Sequence, residues 1–118
     1  MAKRAFKNQY KFEERLKEST RILSKYPDRI PIICEKSKSS GLLPSIDKSK
    51  FLVPWDLTVA NFIFIVRKRL NLRPEEAIFL YIGDNIMSSS CVIGEIYRYN
   101  KEADGFLYIQ YSKENTFG

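Results

Sequence analysis

Leu57-Thr58-Val59-Ala60-Asn61-Phe62-Ile63-Phe64-Ile65-Val66-Arg67-Lys68-Arg69-Leu70 decides how the rest of the chain is read. Phe62 to Val66 is an unbroken apolar run, and taken alone it suits a buried strand as well as a helix. Length and end signals favour the helix. Thr58 is placed to N-cap it, and Leu57 and Phe62 fall at the two positions of a hydrophobic staple. Arg67, Lys68 and Arg69 occupy the last turn, where cations complement the macrodipole. A helix apolar on most sides is predicted to lie across the middle of a core.

Upstream of it, Ile30-Pro31-Ile32-Ile33-Cys34-Glu35-Lys36 is short and β-branched and reads as a strand, with Pro31 near its start. Lys50-Phe51-Leu52-Val53-Pro54 is a second strand. The serine- and lysine-rich stretch 37–49 between them is longer than a tight hairpin needs, which makes the two strands antiparallel. Downstream, 77–82 and 106–111 are further strands, with 91–99 a short helix between them. At the start, Phe12, Leu16, Ile22, Leu23 and Tyr26 form the narrow apolar stripe of an amphipathic helix that Pro27 stops. A shorter basic helix or turn precedes it over 3–8. After these helices the order is strand, strand, helix, strand, short helix, strand. Two hairpins flanking one diagonal helix is an α+β arrangement, the ubiquitin-like β-grasp. It has a four-stranded mixed sheet whose last strand can join the first in parallel. The expected division is an N-terminal helical extension over 1–27 packed on the sheet, a β-grasp over 28–112 and a flexible C-terminal tail over 113–118.

The chain has 118 residues, 44% hydrophobic and 29% charged, which fits one soluble domain. Twenty Lys and Arg against fourteen Asp and Glu give +6, so acidic peptides, phospholipid head groups and nucleic acid are all compatible partners. The charge is uneven, net +5 over 1–29, +4 over 30–70 and −3 over 71–118. Histidine is absent, which removes Ser-His-Asp and Cys-His machinery and most zinc sites. No phosphate loop or metal cluster is present either, so neither an enzyme nor a cofactor is expected. Cys34 and Cys91 each lie in an apolar stretch and read as reduced core thiols, with a disulfide or a reactive thiol as the alternative. No run of eighteen apolar residues exists to span a membrane, and the basic start lacks the apolar centre of a signal peptide.

Particular segments carry a family resemblance. They are Phe12-Glu13, Lys25-Tyr26-Pro27-Asp28-Arg29-Ile30-Pro31, Glu35-Lys36, Lys50-Phe51-Leu52-Val53-Pro54, Asp56-Leu57-Thr58-Val59, Phe62, Arg67-Lys68-Arg69, Phe106-Leu107-Tyr108-Ile109, Tyr111-Ser112 and the terminal Gly118. In this order the chain resembles the autophagy ubiquitin-like modifiers, the GABARAP-like family named for autophagy-related protein eight. The resemblance implies a modifier, not a catalyst. Activating and carrier enzymes would pass its Gly118, as a thioester, to phosphatidylethanolamine, and a cysteine protease would process or deconjugate it. It implies a monomer in the cytoplasm before conjugation, and the autophagosomal or vacuolar membrane afterwards. There it would recruit cargo receptors and adaptors bearing an acid-flanked aromatic-x-x-aliphatic motif.

The same resemblance assigns Glu18, Ile22, Pro31, Ile33, Lys50, Leu52 and Phe106 to a pocket for the aromatic residue of that motif. It assigns Phe51, Val53, Pro54, Leu57, Phe62 and Ile65 to a pocket for the aliphatic one. Arg29, Lys48, Lys50 and Arg69 would face the flanking acids, and Phe79 and Tyr81 would meet the processing protease or lipid. Strand geometry agrees with two pockets. Lys50 and Leu52 share one face of their strand and Phe51 and Val53 the other, and positions i and i+3 of an added peptide likewise point to opposite faces. Read without the family, Leu52, Phe62 and Ile65 are ordinary core residues, and Lys48 and Lys50 are ordinary edge charges. Trp55 stands where relatives usually have a small residue, Gly105 replaces a common aromatic, and the 37–49 loop is one residue longer than theirs. The alternatives are a small basic nucleic-acid-binding domain, with seven Tyr and eight Phe for stacking, and a cytoskeletal adaptor.

Overall fold

A computed structural model describes residues 4–38 and 43–113. Along the chain run α1 (Phe6–Gln9), α2 (Phe12–Lys25), β1 (Arg29–Lys36), β2 (Lys50–Pro54), α3 (Val59–Leu70), β3 (Phe79–Ile82), β4 (Asn85–Ile86), α4 (Ile93–Asn100) and β5 (Leu107–Ser112). Thr58 caps α3, its Oγ1 accepting the Asn61 N–H at 3.2 Å. Asn71 ends the helix in the left-handed conformation at φ 55°, a residue type that tolerates it. Only one stripe of α3 is deeply buried, through Val59, Phe62, Val66 and Leu70. Phe64 remains 60% exposed, with the Lys68 ammonium 5.4 Å from its ring centroid. The apolar run is therefore less enclosed than its composition predicts.

The sheet order is β2-β1-β5-β3-β4, with β1 and β5 parallel and the other pairs antiparallel. This is the predicted β-grasp enlarged by one strand. The two-residue β4 pairs Ile86 with Tyr81 across a turn in which Gly83 takes φ 57°. Pro31 is tolerated in β1 for a specific reason. Ile30 and Ile32 pair with Val53 and Phe51, and the Cys34 N–H donates to the Ser49 carbonyl, so position 31 faces β5. Continued one pair past its start, the parallel ladder would require residue 31 to donate to the Gly105 carbonyl. Pro31 has no N–H, and that carbonyl accepts the Tyr97 hydroxyl instead, at 2.7 Å.

Both faces of the sheet are covered. The main core lies between the sheet, α3 and α4 and includes Ile32, Phe51, Phe62, Ile93 and Ile109. A second cluster on the opposite face joins Phe6, Ile22, Ile33 and Phe106 beneath α1 and α2. Both cysteines are free thiols. Cys34 is in the core, where burial pushes its thiol pKa up. Cys91 is exposed, which corrects its reading as a core residue. It precedes α4 in a segment whose backbone, not its side chain, meets α3, as its carbonyl accepts the Val59 N–H at 2.9 Å. The rings of Phe51, Tyr81, Phe106 and Tyr111 are buried, so they do not form the open stacking platform that the nucleic-acid alternative needs. No described helix is long and apolar enough to cross a membrane.

Candidate functional site

β2 is a border strand, paired only with β1 in the sheet order. Its ladder alternates. Phe51 and Val53 exchange hydrogen bonds with Ile32 and Ile30, and the same alternation carries on to Trp55, whose N–H donates to the Asp28 carbonyl at 3.1 Å. The backbone groups of Lys50 and Leu52 therefore point outward, away from β1. Just upstream, the Lys48 carbonyl accepts Arg69 Nη1 at 3.1 Å. An extended peptide can add to such a border, with its main chain satisfying the outward groups.

On the α2 face the structure brings together most of the predicted aromatic-pocket residues. Ile22, Ile33 and Phe106 are packed with half-buried Leu52 and Tyr108, and Pro31 is opposite Leu52 in the register. Phe6 covers this cluster, its ring edge-on to Phe106 at 5.2 Å between centroids. The open space lies beside it, a cleft of about 490 Å³ at the start of β2. One wall is Phe6, Gln9, Tyr10, Glu14, Arg15 and Glu18, and the other is Lys48, Ser49 and Lys50. Glu18 and Lys50 meet across it at 3.2 Å, and Arg21 holds the same carboxylate at 2.6 Å. The Arg21 hydrogen bond outweighs burial and, with Lys50, holds the Glu18 carboxyl below the usual range. Phe6, Gln9, Tyr10, Glu14 and Arg15 were not anticipated. The only sequence signal for Phe6 was one apolar residue inside a basic stretch, held in place by a long-range bond from its N–H to Glu35 Oε2 at 2.8 Å.

A second node fixes α2 and the start of β5. Asp104 Oδ2 accepts Arg15 Nε at 2.8 Å and the Tyr108 hydroxyl at 2.5 Å, Oδ1 accepts the Phe106 N–H, and the Asp104 carbonyl accepts Ser19 Oγ. Burial alone would raise the Asp104 pKa. The Tyr108, Arg15 and Phe106 donors together hold it low, while burial first and then the Asp104 carboxylate raise that of Tyr108. Gly105 takes φ 87°, and a Cβ there would lie 2.3 Å from Ser19 Oγ. Glycine at 105 is thus what lets the chain pass under α2 into Phe106.

On the α3 face, Phe51 and Val53 are buried and Phe62 is fully enclosed, edge-on to Phe51 at 5.3 Å. Half-buried Leu57 and Ile65 supply the accessible apolar surface, with exposed Pro54 at the end of the strand. The Arg69 guanidinium stands 4.5 Å from the Phe51 centroid. Arg29, Lys48, Lys50 and Arg69 are all exposed along or beside the border. Phe79 and Tyr81 are on β3, separated from β2 by β1 and β5. Phe79 is half-buried and Tyr81 is buried at 2%, so of the two only Phe79 offers much surface. Gly118 lies outside the described residues.

Comparison with known proteins agrees with this fold. A family model described as autophagy protein Atg8, ubiquitin like, matches residues 14–118. Autophagy-related protein 8 of Mycosarcoma maydis is 51% identical over 114 residues, covering 97% of this chain and 96% of that protein. The crystal structure of Trypanosoma brucei ATG8 superposes with a TM-score of 0.89 at 43% identity, covering 99% of this chain and all of that one. Plasmodium falciparum Atg8, solved in complex with a Plasmodium falciparum Atg3 peptide, gives 0.88 at 34% identity and covers 98% of this chain and all of that one. The chain belongs to the Atg8 family of ubiquitin-like autophagy proteins.

Proposed function

We propose that the chain acts as a lipid-conjugated modifier that recruits motif-bearing receptors and adaptors through the β2 border. The observation that carries the recognition half is the outward backbone of Lys50 and Leu52 between two unlike faces. A partly polar cleft with Glu18 and Lys50 at its mouth lies on one side. On the other is an apolar surface at Pro54, Leu57 and Ile65, with Arg69 beside it. An aromatic side chain enters the first and an aliphatic one the second, while Arg29, Lys48, Lys50 and Arg69 meet the acids that flank the motif. A short peptide held this way reaches micromolar affinity, about −8 kcal/mol, once ordering costs are met. Display of many copies on one membrane then supplies avidity.

Conjugation rests on family membership and on Gly118. The Gly118 carboxyl is activated at the expense of ATP and carried as a thioester. The amine of phosphatidylethanolamine then attacks it, forming an amide and releasing the carrier thiol. Two acyl chains give stable anchoring where one is marginal, at about 0.8 kcal/mol per buried methylene. The chain itself catalyses none of these steps. That the Plasmodium falciparum relative was solved with an Atg3 peptide supports a conjugation enzyme among the partners of this chain. Before conjugation the chain is a cytoplasmic monomer, and afterwards it resides on the autophagosomal membrane. Phe79 serves the processing protease or the lipid surface. The test is to incubate the chain with activating and carrier enzymes, ATP and phosphatidylethanolamine liposomes. The expected product weighs one lipid more, less one water, and deletion of Gly118 abolishes it. A mass that does not change with the intact chain contradicts the reading.

A further inference from the structure

Trp55 is held at the end of the border in a way that ordinary surface residues are not. It is the first residue past β2, in a turn that the Leu57 N–H closes on the Pro54 carbonyl at 3.1 Å, and its own N–H donates to the Asp28 carbonyl. Its indole lies so close to Gly94 that a Cβ there would be 1.6 Å from Cε3. The Gly94 N–H donates to the Trp55 carbonyl at 2.8 Å, and the Arg98 guanidinium is 5.9 Å from the ring. A missing side chain on α4 and a cation thus fix the ring, yet Trp55 remains 41% exposed.

The direction of an added peptide follows from the two faces. The cleft lies at the start of β2, beside Lys48, Ser49 and Lys50, whereas Val53, Pro54 and Leu57 come later. A peptide whose aromatic residue precedes its aliphatic one therefore runs parallel to β2 and leaves past Pro54. Peptide and strand both advance about 3.3 Å per residue, so they keep step. With the aliphatic anchor level with Val53, the residue two places later reaches Trp55 just past the end of β2. The Trp55 ring lies against Gly94 of α4, on the side of the sheet where Val53 packs with Ile93 and Tyr97. We propose that Trp55, seated on Gly94, is a third reading position that takes an aromatic or large aliphatic side chain two residues beyond the aliphatic anchor. This inference rests on the peptide-addition reading above. Charge argues for an apolar occupant. Asp28 and Asp56 flank Trp55 in the ladder and the chain, and Arg98 already faces Glu95 at 3.8 Å, in contrast to the basic group at the start of β2.

The test titrates the full chain with two labelled peptides. Both carry three aspartates, tryptophan, two serines and leucine, followed either by serine-phenylalanine or by serine-serine. The phenylalanine peptide is expected to bind the unaltered chain about three- to ten-fold more tightly. That advantage disappears in Trp55→Ser and shrinks in Gly94→Ala, while both variants keep the affinity for the serine-serine peptide and so prove folded. An advantage that persists in Trp55→Ser, or is absent from the unaltered chain while the serine-serine peptide still binds, overturns the third position and leaves the two-pocket border standing. Failure of both peptides to bind the unaltered chain overturns the border reading, and the third position with it.

Discussion

The Arg69 guanidinium stands 4.5 Å from the centroid of the Phe51 ring and at the same time donates from Nη1 to the Lys48 carbonyl at 3.1 Å. One side chain at the end of α3 thus touches the apolar face of β2 and the backbone beside its border. It has donors left over for an acid on an incoming peptide.

Arg69→Ala is expected to weaken an acid-flanked peptide about five- to ten-fold, and one with neutral flanks much less. Arg69→Lys recovers only part of this, because an ammonium cannot donate to the backbone and a carboxylate from one planar fork. Isothermal titration at low and high salt checks both statements, the loss being larger at low salt.

Leu52 is half-buried against the Phe6, Ile22, Ile33 and Phe106 cluster, with its backbone at the open border. Leu52→Ala should weaken peptide binding and cost the fold only about 2 kcal/mol, the bottom of the range for buried leucines, because the side chain is half-buried. Chemical denaturation of the free chain and a peptide titration separate the two effects.

Gly105 and Gly83 make a matched pair. Both have positive φ, at 87° and 57°, but a Cβ at 83 meets nothing within 4 Å whereas one at 105 meets Ser19 Oγ at 2.3 Å. Gly83→Ala should therefore cost about 1 kcal/mol, the ordinary left-handed penalty, and Gly105→Ala more than that. Thermal melts of the two variants rank them, and equal melting points would contradict the packing described for α2 on β5.

Asp104 sets the acid limit of the same contact. Its carboxyl titrates below the ordinary aspartate value, because the donors from Tyr108, Arg15 and Phe106 overcome the opposing effect of burial. The stability it contributes is complete above the ordinary value, and is lost as pH falls through the lower folded-state value. Asp104→Asn should cost about 3 kcal/mol at neutral pH, as expected for breaking a buried pair, and should flatten the acid side of the stability profile. Melts between pH 2 and 7 would show it.

Much of the framework could be read locally. Thr58, the staple residues and the three terminal cations placed α3, and Pro27 placed the end of α2, because caps and breakers act within a few residues. β2 was found with its bounds intact, and so were the two unlike faces that follow from its alternation. β4 was not seen, since two residues carry no period and Asn85–Ile86 becomes a strand only by pairing with β3. The exposure of Phe64 and Cys91 depends on which stripe of a helix or loop meets the core, and an apolar run does not say. The site was half legible. Its strand residues share one short segment, whereas Phe6, Tyr10 and Arg15 reach the cleft only because Glu35 and Asp104 fasten α1 and α2 from far along the chain.

The most direct test follows backbone amides of the isotopically labelled chain by NMR while an acid-flanked aromatic-x-x-aliphatic peptide is added. The account predicts saturable shifts that are largest at the Lys50 and Leu52 amides, which also gain protection from hydrogen exchange on binding. Shifts centred on β3 and β4 around Phe79, with Lys50 and Leu52 unmoved and still exchanging freely, would contradict it.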